Sequence, residues 1–316
     1  ITVTGGLMKV YDGTAMIADK ADAWIIPVRI DGFERTGWSY LRPAQLRKAL
    51  FPKVTVTVLP RRKLVVDPAL KGKWRRQAAG AELQDIMVDT AVETTPLDRT
   101  LFQALTEARA KHDDGQIIVE DPLGTKLTYK KLVVGAQVLA RKLAPLAAEG
   151  ASVGVMLPNS AGVAVTFFAL QSAGRVPAMI NFSAGPKNIV AACRAETVVT
   201  SRAFVEKGHL EPVIAALKAE AIRIVELEDV RATVTFADKI AGLLAGSRPM
   251  VERGADEPAA ILFTSGSEGL PKGVVLSHRN MLANATQSLT RVSVNGEDKV
   301  FNVLPVFHSF GLTAGL

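Results

Sequence analysis

One cysteine, Cys193, stands in 316 residues, so the sequence holds no disulfide framework and no Cys-rich zinc or iron–sulfur site. That scarcity suits a reducing compartment. Cys193 lies in an Ala-rich run with no histidine close in sequence and reads as a small apolar residue rather than a nucleophile. Internal repeats and low-complexity tracts are missing. So are the n-region and h-region of a signal peptide: the chain opens at Ile1, ends at Leu316 in an apolar run that no helix cap closes, and reads as an internal fragment. No RNP, zinc-finger or helix-turn-helix pattern accompanies its positive charge, which argues against a nucleic-acid partner.

A hydrophobic content of 48% is ample for buried cores and excludes disorder. The net charge of +7 is local in origin. Arg42, Arg47, Lys48, Lys53, Arg61, Arg62, Lys63, Lys71, Lys73, Arg75 and Arg76 face one acid in the same stretch, Asp67. With Trp38 and Trp74 nearby, this stretch suits anionic lipid head groups or an acidic carrier protein; the plain alternative is an ordinary solvated face. The longest uncharged run, Gly150–Gly174, has the length of a membrane span. Pro158, Asn159 and Ser160 divide it into a short strand and a helix, a buried βα unit.

Periodicity predicts a helix over Met8–Ala23, strands over Ala23–Ile30 and Lys53–Leu59, a helix over Trp74–Val88 and a linker in the aperiodic stretch Thr90–Leu97. Beyond it strand and helix alternate. Strands are expected at Ile117–Glu120, Val153–Leu157, Val176–Ile180, Thr197–Thr200, Ile222–Val225 and Ala259–Phe263. Helices are expected at Tyr129–Leu146 with Thr128 as N-cap, Ala161–Ala173, Pro186–Ala195, Leu210–Glu220 and Phe236–Leu244. Such alternation predicts an α/β fold with a doubly wound, mainly parallel sheet covered on both faces.

The stretch Thr264-Ser-Gly-Ser-Glu-Gly-Leu-Pro-Lys-Gly273 lies between the apolar strand and a helix that Ser277 would cap. Three glycines let backbone N–H groups converge, hydroxyls add donors, and Lys272 adds positive charge, which together suit a phosphate. The expected arrangement is a turn that delivers its anion near the start of a helix. It is neither a Walker A loop, since Pro271-Lys272-Gly273 replaces Gly-Lys-Ser/Thr, nor a dinucleotide fingerprint, since no Gly-x-Gly-x-x-Gly occurs. The plain alternative is a flexible surface loop, with Lys272 a solvated lysine. Gly150-Ala-Ser-Val-Gly154 matches the serine-hydrolase pattern, but Ser152 opens a strand where the nucleophile elbow needs one to end.

Thr264–Gly273 resembles the phosphate loop of the adenylate-forming superfamily, and Leu304-Pro-Val-Phe-His-Ser-Phe-Gly311 is similar to that superfamily's next motif, whose histidine lines the acyl pocket. Glu268 departs from the usual threonine. Thr-Ser-Gly-Ser-Glu-Gly, Met156–Ser160 and Thr200–Phe204 resemble one subgroup, the acyl-[acyl carrier protein] synthetase half of bacterial bifunctional 2-acylglycerophosphoethanolamine acyltransferases. Gly6–Gly13, Ile26–Gly32 and Phe51–Val56 resemble the back of the acyltransferase domain that precedes it.

This resemblance implies a truncated glycerophospholipid acyltransferase-like α/β domain over residues 1–92, followed over 93–316 by the N-terminal part of an AMP-binding domain. It assigns Thr264, Ser265, Gly266, Ser267, Gly269 and Lys272 to phosphate and His308 to the acyl-adenylate pocket, with Lys272 and His308 the catalytic candidates. From the residues alone, His308 between Phe307 and Phe310 reads equally as a core histidine. ATP and Mg²⁺ are the implied cofactors; no metal ligand is assigned within the chain. Fatty acid, acyl carrier protein or coenzyme A, lysophospholipid and an anionic membrane surface are the implied partners, at the cytoplasmic face of a bacterial inner membrane. The acyltransferase histidine–aspartate pair is missing, because Ile117, Ile214, Ala283 and Thr313 stand five residues after the four histidines. The synthetase motifs for the Mg²⁺-binding acid, the ribose-binding aspartate and the C-terminal lysine would lie beyond residue 316, so neither reaction is expected of this stretch alone. A stand-alone fatty-acyl-CoA ligase and a non-catalytic nucleotide or lipid-surface module are the alternatives.

Overall fold

Small residues bring the first two helices together. In the computed structural model, which describes residues 6–43, 45–185, 189, 195–264, 271–292, 294 and 296–316, Ala15 of helix α1 (Asp12–Lys20) packs with Ala79 and Leu83 of α2 (Gly72–Glu93). Gly80 meets the α1 backbone so closely that a Cβ there would collide with the Asp12 carboxylate, 2.5 Å away. Arg75 locks the pair with two hydrogen bonds to Asp19, both 2.7 Å. Strands β1 (Val28–Asp31) and β2 (Thr55–Val58) form an antiparallel ladder, and Arg29 donates from it to Ala91 O of α2 at 2.8 Å. Residues 1–96 and 283–299 together form one compact unit; residues 97–282 and 300–316 form a second.

Two expectations for the front unit need correction. Helix α1 starts at Asp12, not Met8, and the linker expected from Thr90 is helical as far as Glu93. The threonines mask that helix in the sequence, yet Thr90, Thr94 and Thr95 satisfy their hydroxyls on the carbonyls four residues back, at 2.7, 2.6 and 2.6 Å. The basic stretch is also partly neutralised. Arg42 pairs with Glu297, Arg62 with Asp89 and Glu93, Lys63 with Asp22 and Arg75 with Asp19, while Arg61 lies 4.4 Å over the Trp24 ring.

The second unit is built on a six-stranded sheet of order β10-β9-β6-β5-β7-β8. Its strands are β5 (Ser152–Val155), β6 (Val176–Met179), β7 (Thr197–Thr200), β8 (Arg223–Glu226), β9 (Pro258–Thr264) and β10 (Lys272–Ser277). All neighbours pair in parallel except β9 and β10, so the sheet is mixed, with an antiparallel hairpin at one edge. Ahead of it come α3 (Leu101–Lys111), a small hairpin of β3 (Ile117–Glu120) and β4 (Lys126–Thr128), and α4 (Tyr129–Leu143). Thr128 caps α4 as expected, its hydroxyl accepting from Lys131 N at 3.2 Å.

Alternate residues of the central strands enter separate cores. Val153, Val155 and Val199 join α4 and α5 (Ala161–Ser172) on one face. Met156, Ile180 and Val198 join Val213 and Leu217 of the helix Glu211–Ala219 on the other. The sheet is thus covered on both faces, which explains its continuous apolar runs. Gly150–Gly174 resolves into β5 and α5, and among the described residues no helix is long and apolar enough to cross a membrane. Most of the helix expected at Pro186–Ala195, with Cys193, lies outside the described residues.

Candidate functional site

In an open parallel sheet, ligands gather at the carboxyl ends of the strands where successive connections leave in opposite directions. Here the chain passes from β5 to β6 on one side and returns to β7 on the other, so the carboxyl ends of β5 and β7 mark that point. The loop leaving β5, Met156-Leu-Pro-Asn-Ser160, leads straight into α5, whose first turn is doubly capped. Ser160 Oγ accepts from Val163 N at 3.3 Å, and the buried Asp121 carboxylate accepts from Ala161 N at 3.1 Å. Asp121 also accepts from Leu123 N and Thr125 N, at 3.0 and 2.9 Å. Burial opposes its charge more than any single contact, but these donors together hold its pKa below the ordinary aspartate value.

The segment carrying His308 lies at this same end of the sheet. Asn159 bonds it at three points, with Nδ2 donating to Leu304 O at 2.8 Å and to Asn302 O at 3.4 Å, and Oδ1 accepting from Val306 N at 3.0 Å. Phe307 meets Phe182, beyond the end of β6, edge to face at 4.9 Å between centroids. Phe182 meets Phe204 in the same manner, also at 4.9 Å. His308 itself is exposed, which corrects the core-histidine reading. It is the N-cap of helix Ser309–Gly315, its Nδ1 accepting from Phe310 N at 3.3 Å.

The phosphate-loop candidates divide in two. Thr264 and Lys272 are directly opposed across the β9–β10 hairpin, both exposed, with Thr264 Oγ1 donating to Lys272 O at 3.5 Å. Ser265, Gly266, Ser267 and Gly269 lie outside the described residues. The expected passage from loop into helix is corrected: β10 intervenes, and the helix His278–Arg291 begins six positions after Lys272. Gly273-Val-Val-Leu276 continues the hairpin because it pairs residue by residue with 260–263. Ser277 does cap that helix, its Oγ accepting from Asn280 N at 3.1 Å while its own N–H donates to Asn280 Oδ1 at 3.1 Å. Among the described residues no hydrogen bond, ion pair or ring contact joins Lys272 to His308.

Sequence reasoning passed over His278. It is 2% exposed, and its Nδ1 accepts from Leu101 N at 3.1 Å, which places the proton of the neutral ring on Nε2. Burial, helped by the nearby charge of Arg253 and opposed by Glu257, lowers its pKa to about 4. Ser152 is the first residue of β5, so no nucleophile elbow exists there.

The Thr264 hydroxyl and the Lys272 ammonium, on either side of residues 265–270, suit a polyphosphate. For Mg²⁺ the described residues offer no group of three or more His, Cys, Asp or Glu able to hold a metal ion. The AMP-binding enzyme family matches residues 105–316, which include both the 264–273 loop and the 304–311 segment. The chain is 32% identical over 184 residues to 4-coumarate–CoA ligase 2 of Oryza sativa subsp. japonica, covering 53% of this chain and 32% of that protein. It is 30% identical over 208 residues to the long-chain-fatty-acid–CoA ligase FadD13 of Mycobacterium tuberculosis, covering 63% and 39%. It spans between about a third and two fifths of the length of these relatives. The crystal structure of VinN shares the fold, with a TM-score of 0.58 at 24% identity over 68% of this chain and 56% of VinN. By the family match across two thirds of its length, the chain belongs to the AMP-binding, adenylate-forming enzymes.

Proposed function

We propose that the whole protein activates a carboxylic acid with ATP and passes the acyl group to a thiol, as an acid–thiol ligase. The observation that carries this reading is the family match across residues 105–316. The named activities of its relatives, coenzyme A ligases for coumarate and for long-chain fatty acids, support a fatty or aryl acid as substrate and coenzyme A as acceptor.

In the first step a carboxylate oxygen attacks the α-phosphorus, the bond to the bridging oxygen breaks, and the electron pair leaves on pyrophosphate. Lys272, at the mouth of the loop, is suited to meet that developing charge, with Thr264 and the loop's N–H groups orienting the phosphates. Mg²⁺ accompanying the nucleotide would supply charge neutralisation. In the second step the thiol sulfur bonds to the acyl carbon, AMP departs and the thiol proton passes to solvent. His308 and Phe307 border the acyl side of the site, at the carboxyl ends of β5 and β6.

A second, finer reading makes the acceptor an acyl carrier protein and residues 1–92 the back of a fused lysophospholipid acyltransferase at an anionic membrane surface. It is favoured by residues 1–96, which stand outside the family match and keep Arg47, Lys53, Lys71, Lys73 and Arg76 outside the ion pairs described above. One experiment separates the two. The whole protein, given ATP, Mg²⁺ and a fatty acid, should form an acyl hydroxamate when hydroxylamine is added. Thioester formed on coenzyme A but not on acyl carrier protein supports the first reading, and the reverse supports the second. Absence of any acyl hydroxamate would refute both.

A further inference from the structure

The 302–312 segment is tied within itself. Asn302 Nδ2 donates to Gly311 O at 2.9 Å, His308 N donates to Pro305 O at 2.9 Å, and Leu312 N donates to His308 O at 2.8 Å. Gly311 passes so near the backbone of Pro305 and Leu304 that any Cβ would collide with both carbonyls, which makes the segment a rigid unit. Its register on the sheet is set by another residue. Asn159, in the loop at the carboxyl end of β5, supplies all three hydrogen bonds that fasten 302–306 to that loop.

An amide is the short side chain that can meet this demand. It donates two hydrogens toward neighbouring carbonyls while its oxygen accepts the next N–H. A carboxylate would set negative charge against two carbonyl oxygens, and an alanine would leave the Leu304 carbonyl and the Val306 N–H without their partners. Because the segment is internally rigid, a shift at Val306 is passed on to Phe307 and His308.

We propose that Asn159 is a positioning residue that registers the His308-bearing segment against the carboxyl end of β5 and so sets the fit of the carboxylic acid. This rests on the reading above that His308 and Phe307 border the acyl side. Asn159 touches no reacting atom in this account; it acts through its hold on residues 302–306.

The test uses the whole protein as wild type, Asn159→Ala, Asn159→Asp, His308→Ala and the Asn159→Ala/His308→Ala pair. Acid-dependent pyrophosphate release gives KM for each substrate, and hydrogen exchange follows the Val306 amide. Asn159→Ala should raise KM for the acid about tenfold, with KM for ATP changed less than about twofold, since the lost bonds bear on the acyl side alone. In the paired variant the two effects should combine less than additively. Exchange at Val306 should quicken while β5 and β6 stay protected. Asn159→Asp keeps the shape and the bond to Val306 but loses both donors. It should also raise KM for the acid, and it decides the matter if the alanine variant does not fold.

Parallel rises in both KM values, or fully additive effects, would overturn the proposal. A wild type that releases no pyrophosphate would sink the proposed reaction instead; Asn159 would then be judged on exchange alone, where an unchanged Val306 amide in the variants refutes it.

Discussion

Acidification should destabilise the second unit through His278 before any carboxylate titrates. The ring is buried and neutral, accepting from Leu101 N, with its pKa lowered to about 4 against an unfolded value of about 6.5. A histidine held below its unfolded pKa contributes nothing to the pH dependence at neutrality. As pH falls below about 6.5 the unfolded chain takes the proton first, and stability is lost until the folded pKa is passed near pH 4. A gap of about 2.5 pKa units corresponds to about 3 kcal/mol in all, of which about 2 kcal/mol is gone by pH 5. Asp121, Glu228 and Asp256 also have lowered values, but their contributions are lost only below about pH 4.5, so the range from pH 7 to 5 isolates the histidine.

Tryptophan fluorescence is the wrong probe, because Trp24, Trp38 and Trp74 all lie in the front unit. Native-state hydrogen exchange at the Leu101 amide reads the relevant opening directly. The control is His278→Asn, whose side-chain oxygen can still accept from that amide but cannot titrate. The wild type should lose about 2 kcal/mol more than the variant between pH 7 and 5. Equal losses in the two proteins would refute the assignment of a buried neutral imidazole.

Other expectations follow from the same packing. Gly154→Ala would place a Cβ 2.7 Å from Val198 Cγ2 and 2.9 Å from Ile180 Cδ1 between two central strands, and should cost about 1–3 kcal/mol in urea denaturation. Asp121→Ala strands the N–H groups of Leu123, Thr125 and Ala161 and should cost about 2–4 kcal/mol; a near-neutral result would mean that water replaces the carboxylate there. Thr128→Ala removes a single cap and should cost about 1 kcal/mol, read as a lower thermal midpoint.

Much of the sheet was readable because buried parallel strands leave apolar runs bounded by Gly, Pro and Ser, and because Thr128 and Ser277 announce the helices they cap. The hairpin strand Lys272–Ser277 was not. A lysine and a glycine open it, its first four residues are exposed, and what makes it a strand is pairing with β9, a partner that periodicity does not report. The end of α2 was hidden for a related reason: three threonines lower local helix propensity, and that their hydroxyls are satisfied on carbonyls of the preceding turn is visible only in the structure. Of the candidate site, Lys272 and Thr264 were named from residue type, and the structure adds that they oppose each other across the hairpin. The roles of Asn159 and His278 were not legible because they lie in contacts with residues 143 to 147 and 177 positions away, beyond any local pattern.

On the proposed function, residues 264–272 hold the phosphates of a nucleotide undergoing attack by a carboxylate. Pyrophosphate release by the whole protein, with and without fatty acid, in wild type and Lys272→Ala, tests it most directly. Release should depend on the acid and fall at least about tenfold in the variant, a loss of about 1.4 kcal/mol of transition-state stabilisation. Release at the wild-type rate from Lys272→Ala would contradict the account.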